Sequence, residues 1–138
     1  MNKSYEELIT IPTFEMRYDY LRLGSIVGRP SAGIDSHCVR MIYHTRMWRD
    51  VRRLVLIRDG GCDLGDPDRQ IHERPLIHHI NPISIFDIES RADCVFDPNN
   101  LITTTHNTHN AIHYGDRSLL VTLPPERKKG DTMLWIVS

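Results

Sequence analysis

The chain predicts an α+β fold in a single domain, and three observations carry that prediction. Two N-terminal stretches repeat apolar residues at helical spacing: Phe14, Tyr18 and Leu21 in the first, then Trp48, Val51, Leu54 and Val55 in the second. Two short runs, Leu76–Ile80 and Leu101–Thr104, have the length and alternation of strands. A third helical segment, Asn107 to Tyr114, ends at Gly115, a natural residue for closing a helix. With 138 residues, 40% hydrophobic and 25% charged, the chain lies in the range of a globular protein with one core.

The elements follow in order. Thr13 suits an N-cap, with Glu15 in the first turn, and the helix it opens is expected to end near Gly24. Gly24 to Gly33, with three glycines and a proline, reads as an irregular loop. Thr45 caps the longest helix, which runs to the stop Asp59-Gly60-Gly61 and is the expected scaffold for the rest. A connection through Asp66-Pro67 leads to the strand Leu76–Ile80. The stretch from Phe86 to Asn99 is longer than a tight hairpin needs and is expected to hold a short helix around Asp87 to Ala92. The second strand and the last helix follow. Ser118 to Leu123 and Met133 to Val137 then read as a C-terminal β-hairpin, bridged by the basic, proline-stiffened loop Pro124 to Gly130. The expected organisation is thus an N-terminal extension (1–45), a core (58–115) and a C-terminal extension (116–138).

Composition excludes a few classes. A formal net charge of −1 gives no global basic signature, so a nucleic-acid partner has to be argued from local charge. Cys38, Cys62 and Cys94 are odd in number and widely spaced, which fits reduced thiols and no disulfide framework. The N-terminus lacks a signal-peptide pattern, and no apolar run approaches the roughly 20 residues that span a bilayer. A cytoplasmic protein with no membrane partner is expected.

The chemistry concentrates in His78-His79, Asn100 and His109-x-x-x-His113, which together use four of the eight histidines. On a helix, His109 and His113 project from one face, where two imidazoles can hold one divalent ion. On a strand, His78 and His79 point to opposite faces, so one can ligate while the other does something else.

The segments Leu76-Ile-His-His-Ile-Asn-Pro82, Asp97-Pro-Asn-Asn-Leu-Ile-Thr103 and Thr108-His-Asn-Ala-Ile-His113 resemble the HNH endonuclease family and its ββα-metal fold. The resemblance spans Arg58 to Gly115, under half of the chain. Flanking segments such as Tyr5-Glu-Glu-Leu-Ile9, Arg58-Asp-Gly-Gly-Cys-Asp-Leu-Gly65 and Ala111-Ile-His-Tyr-Gly-Asp116 are similar to small HNH proteins of phages and prophages. It implies that His78, His109 and His113 bind one divalent ion, that His79 is the general base, and that Asn100 braces the loop behind it. A loop carbonyl is expected to hold the second nitrogen of His79. The implied reaction is phosphodiester hydrolysis leaving a 5′-phosphate and a 3′-hydroxyl.

The chain departs from the family at the two C-x-x-C knuckles that many members use for a structural zinc. Here those positions read Cys62-Asp-Leu-Gly65 and Thr105-His-Asn-Thr108, so no structural zinc is expected. Three neutral imidazoles leave the ion open among magnesium, manganese, zinc and nickel. His106 is expected to cap the last helix or back the ligands rather than to ligate, Asn107 and Asn110 to cap or hydrogen-bond, and His37, His44 and His72 to stay out of the site.

Between residues 40 and 58, Arg40, Arg46, Arg49, Arg52, Arg53 and Arg58 stand against the single acid Asp50. This is the strongest local positive field, and Arg46, Arg49 and Arg53 are the expected contacts to DNA phosphates. The alternative is a DNA-binding or phage packaging-associated module, acting with terminase or portal proteins, whose own cleavage is weak or partner-dependent.

Overall fold

The computed structural model describes residues 3–22 and 36–120. Among them it is a mixed α/β structure with seven α-helices and one two-stranded antiparallel sheet. The first helices are set by their caps. Ser4 opens α1 (Tyr5–Leu8), and Thr13, whose hydroxyl accepts from Met16 N, opens α2 (Phe14–Leu21). α2 stops three residues before Gly24 because Arg22 already turns to extended ψ. Phe14, Tyr18 and Leu21 are buried, as their spacing predicts. α3 (Ser36–Tyr43) leads into α4 (Arg46–Arg58), capped by Thr45 and followed by Gly60 and Gly61 at positive φ.

The α4 stripe is narrower than its apolar residues suggest. Trp48 and Val55, seven positions apart, are buried, whereas Leu54 is 52% exposed because it lies about 100° around the helix from Val55. Two arginines of the positive stretch are committed to the fold. Arg52 donates to Pro75 O, while Arg58 donates to Asp59, Pro98 O and Leu101 O with its guanidinium 3.5 Å over the Tyr5 ring.

Strands β1 (Leu76–His79) and β2 (Leu101–Thr104) pair with Leu76 opposite Thr104 and His79 opposite Leu101. Residues directly opposite share a face. One face therefore carries Leu76, His78, Ile102 and Thr104, and the other Ile77, His79, Leu101 and Thr103. Each face has its own core. Ile102 packs with Leu8, Phe14, Tyr18, Leu21, Leu64, Ile80, Ala111 and Ile112. Ile77 and Leu101 pack with Ile42, Trp48, Val55, Ile88 and Val95.

Two helices, not one, fill the connection between the strands: α5 (Ile85–Ser90) and α6 (Asp93–Phe96). α5 starts two residues before Asp87 because Ser84 and Asp87 form a reciprocal capping box. The final described helix, α7 (His106–Tyr114), ends at Gly115 in the left-handed conformation, where glycine is favoured. The strand expected from Ser118 does not form at its start. Arg117–Leu119 is a 3₁₀ turn opened by Asp116, whose side chain accepts from Ser118 N, a local bond that competes with extended pairing. The remainder of the expected hairpin, its basic loop and the loop Gly24 to Gly33 lie outside the described residues. No helix among the described residues is long and apolar enough to cross a membrane.

Candidate metal centre

Alternation along β1 divides the two histidines. His78, 2% exposed, lies on the face toward α7, where His109 and His113 sit one turn apart. The His109 and His113 ring centroids are 4.4 Å apart, and the His78 ring is 5.3 Å from each. One ligand atom from each of the three lies within 4.8 Å of the others, so this group could hold a metal ion. Each ring also keeps a buried nitrogen without a hydrogen-bond partner: His78 Nε2, His109 Nδ1 and His113 Nδ1. Unpartnered buried imidazole nitrogens are costly, and a cation satisfies a lone pair as well as a donor does. The residues present fit a divalent ion.

The electrostatics suit ligation too. Burial, then the charges of His109, His113, His79 and Lys3, hold His78 well below the usual histidine range. Burial, then His113, lowers His109 to about 4, and burial lowers His113. All three are neutral near pH 7, the protonation state that binds metal.

A pH dependence follows for the chelated protein. Below about 6.5 the unfolded chain takes up protons at these histidines that the folded chain does not, so stability is complete above that pH and falls as pH drops toward the folded values. Each ring that stays neutral in the fold adds a slope of about 1.4 kcal/mol per pH unit. Urea unfolding is expected to give a flat stability above pH 7 and a loss between pH 6.5 and 5. A flat profile throughout would mean that the rings accept protons without unfolding. Asp63, whose carboxyl burial pushes up, opposes the trend in the carboxylate range, so the comparison is made above it.

His79 occupies the other face. Its ring stacks on Trp48 at 5.6 Å between centroids, and Trp48 stacks in turn on Tyr43. Its Nε2 lies 3.0 Å from Val95 O. A carbonyl only accepts, so Nε2 carries the proton and Nδ1 keeps the lone pair. Burial lowers its pKa, with the Val95 carbonyl acting in the opposite sense.

Asn100, 5% exposed, organises what lies behind that contact. Its Oδ1 accepts from both N and Nδ2 of Asn81 at 2.8 Å, and its Nδ2 donates to Cys94 O at 2.9 Å. One amide thus joins the chain leaving β1 to the residue preceding Val95.

Asp63 is a residue that sequence reasoning missed. Its carboxylate accepts from Thr105 N and Thr105 Oγ1 at 3.3 Å and from Thr108 Oγ1 at 2.6 Å. Thr105 and Thr108 occupy the two positions where the family resemblance expects knuckle cysteines, and Asp63 lies beside Cys62 of the facing pair. The signal was an acid within one motif and two threonines in the other. Thr105, not His106 or Asn107, caps α7, its hydroxyl accepting from Thr108 N, because the first helical residue is His106 itself. His106 and Asn107 are exposed in the first turn.

Arg46, Arg49 and Arg53 are exposed on α4. Arg46 is 3.9 Å from Asp50, both well in solvent, and Arg49 donates to His44 O at 3.3 Å. His44 and His72 are exposed and outside the triad. No protein-family model, curated protein or solved structure matches this chain.

Proposed function

We propose that this chain is a metal-dependent DNA endonuclease of the HNH type, whose β1, β2 and α7 form a ββα-metal core and whose His79 is the general base. The observation that carries this reading is the division at β1. His78 joins His109 and His113 on one side, while His79, next in the chain, is held by a backbone carbonyl with Nδ1 left basic. His78, His109 and His113 would hold a divalent ion, which would supply stabilisation of the negative charge that builds on the phosphate in the transition state. His79 Nδ1 takes the proton of the attacking water, and the Val95 carbonyl steadies the positive charge that then forms on the ring. Asn100 keeps that carbonyl in place through Cys94. Arg46, Arg49 and Arg53 give the duplex backbone a positive surface.

The test is conversion of supercoiled plasmid by protein stripped with chelator and resupplied singly with magnesium, manganese, zinc or nickel. Open-circular or linear product with at least one ion, and none without metal, is the expected result. No conversion with any of the four would overturn the reading. An all-imidazole set favours the later transition ions over magnesium in affinity, so manganese, nickel or zinc is expected to act at the lower concentration.

A further inference from the structure

Lys3 is a cation that the proposed chemistry does not use. Its main chain is clipped to the site in both directions, Lys3 N donating to Asn81 Oδ1 at 2.9 Å and Lys3 O accepting from Asn81 Nδ2 at 2.7 Å. Asn81 follows β1 by two residues and is itself held by Asn100. Ser4 adds a second anchor, its N donating to Tyr20 Oη at 2.9 Å. A residue far away in sequence is thus fixed at the end of β1 that carries His78 and His79. The fixing is done by the backbone, which leaves the side chain free for another task.

The ammonium lies 5.7 Å from the Tyr20 ring centroid and forms no ion pair among the described residues. The clip to Asn81 sets this lysine beside the end of β1 that carries His78. The triad contributes no charge of its own. A phosphate seated on an ion there meets that ion and whatever fixed cations stand nearby, and an ammonium is a compact point charge with three donors suited to a phosphate oxygen.

We propose that Lys3 binds a non-bridging oxygen of a phosphate group seated at the His78, His109 and His113 centre. The inference rests on reading that centre as one that handles phosphodiesters. It makes the N-terminal arm part of the site and not only a brace for the core.

The test uses Lys3→Gln and Lys3→Arg in the full chain. Both keep every backbone hydrogen bond described above, so the fold is retained and melting should not move. Inorganic phosphate is titrated into the cobalt(II)-loaded proteins and followed by the visible absorption of the metal. Phosphate is expected to bind Lys3→Gln about tenfold more weakly than wild type, with Lys3→Arg close to wild type and cobalt affinity unchanged in both. Plasmid conversion should fall by about the same factor in Lys3→Gln. Equal phosphate affinity in wild type and Lys3→Gln, or no phosphate response in wild type, would overturn the inference. Lysine-dependent phosphate binding without plasmid conversion by any ion would sustain it and instead overturn the endonuclease reading.

Discussion

Replacing His79 with alanine is expected to lower metal-dependent cleavage by about 10²–10⁴-fold, the usual contribution of a positioned general base, while metal affinity stays near wild type. The separation follows from the strand. His79 lies on the face opposite His78, so its loss removes no ligand from the triad. His113→Ala should do the reverse and lose metal and activity together. Because His79 stacks on Trp48, the alanine variant leaves a gap in the second core, and His79→Gln serves as the control that fills it. Initial rates of plasmid conversion, with calorimetric titration of manganese or zinc into each variant, make the comparison. Should His79→Ala and His79→Gln both cleave at the wild-type rate with metal bound, the proton would have to leave through another group, and the role proposed for the Val95 contact would fall with it.

The parts of this arrangement that were legible in the sequence are those governed by short-range rules. Strand alternation is a property of two adjacent residues, so the separation of His78 from His79 could be read before the partner strand was known. The i,i+4 spacing placed His109 and His113 on one face, and Thr13, Thr45 and Gly115 marked helix ends by their own chemistry. What could not be read depends on contacts across long intervals. Nothing near Asp63 says that its carboxylate will meet Thr105 and Thr108, and nothing near Lys3 says that its backbone will be received by Asn81. Arg58 looked like one more member of a basic surface, and only the packing of α1 against the start of β2 reveals it as a tie between them. The misplaced edges have local causes of their own. The Ser84–Asp87 box pulled α5 forward, and Asp116 turned the chain where a strand was expected.

Asp63→Ala should be the most damaging single change to the framework of the centre, costing on the order of 3 kcal/mol of folding stability. The carboxylate is buried and serves three donors, Thr105 N, Thr105 Oγ1 and Thr108 Oγ1. Alanine would leave Thr105 N and Thr108 Oγ1 short of an acceptor at the start of α7, Thr105 Oγ1 keeping Thr108 Oγ1 at 3.0 Å, and would remove a negative group that complements the helix dipole. Burial pushes the Asp63 carboxyl up, and the bonds from Thr108 and Thr105, with the charge of Arg69, offset part of that rise. Asp63→Asn keeps the shape and one acceptor oxygen, and should cost about 1 kcal/mol. The damage should also reach the metal, because His109 follows Thr108 directly, and a frayed first turn moves one ligand while His113, a turn further on, stays packed. Metal affinity is therefore expected to fall in the order wild type, Asp63→Asn, Asp63→Ala, with saturating metal restoring part of the lost stability by mass action. Urea unfolding with chelator and with metal measures both effects. If Asp63→Ala unfolded within about 0.5 kcal/mol of wild type, α7 would be held by its packing on Ile102 and Leu64 alone, and the hydrogen-bonded clamp between the two turn segments would be idle.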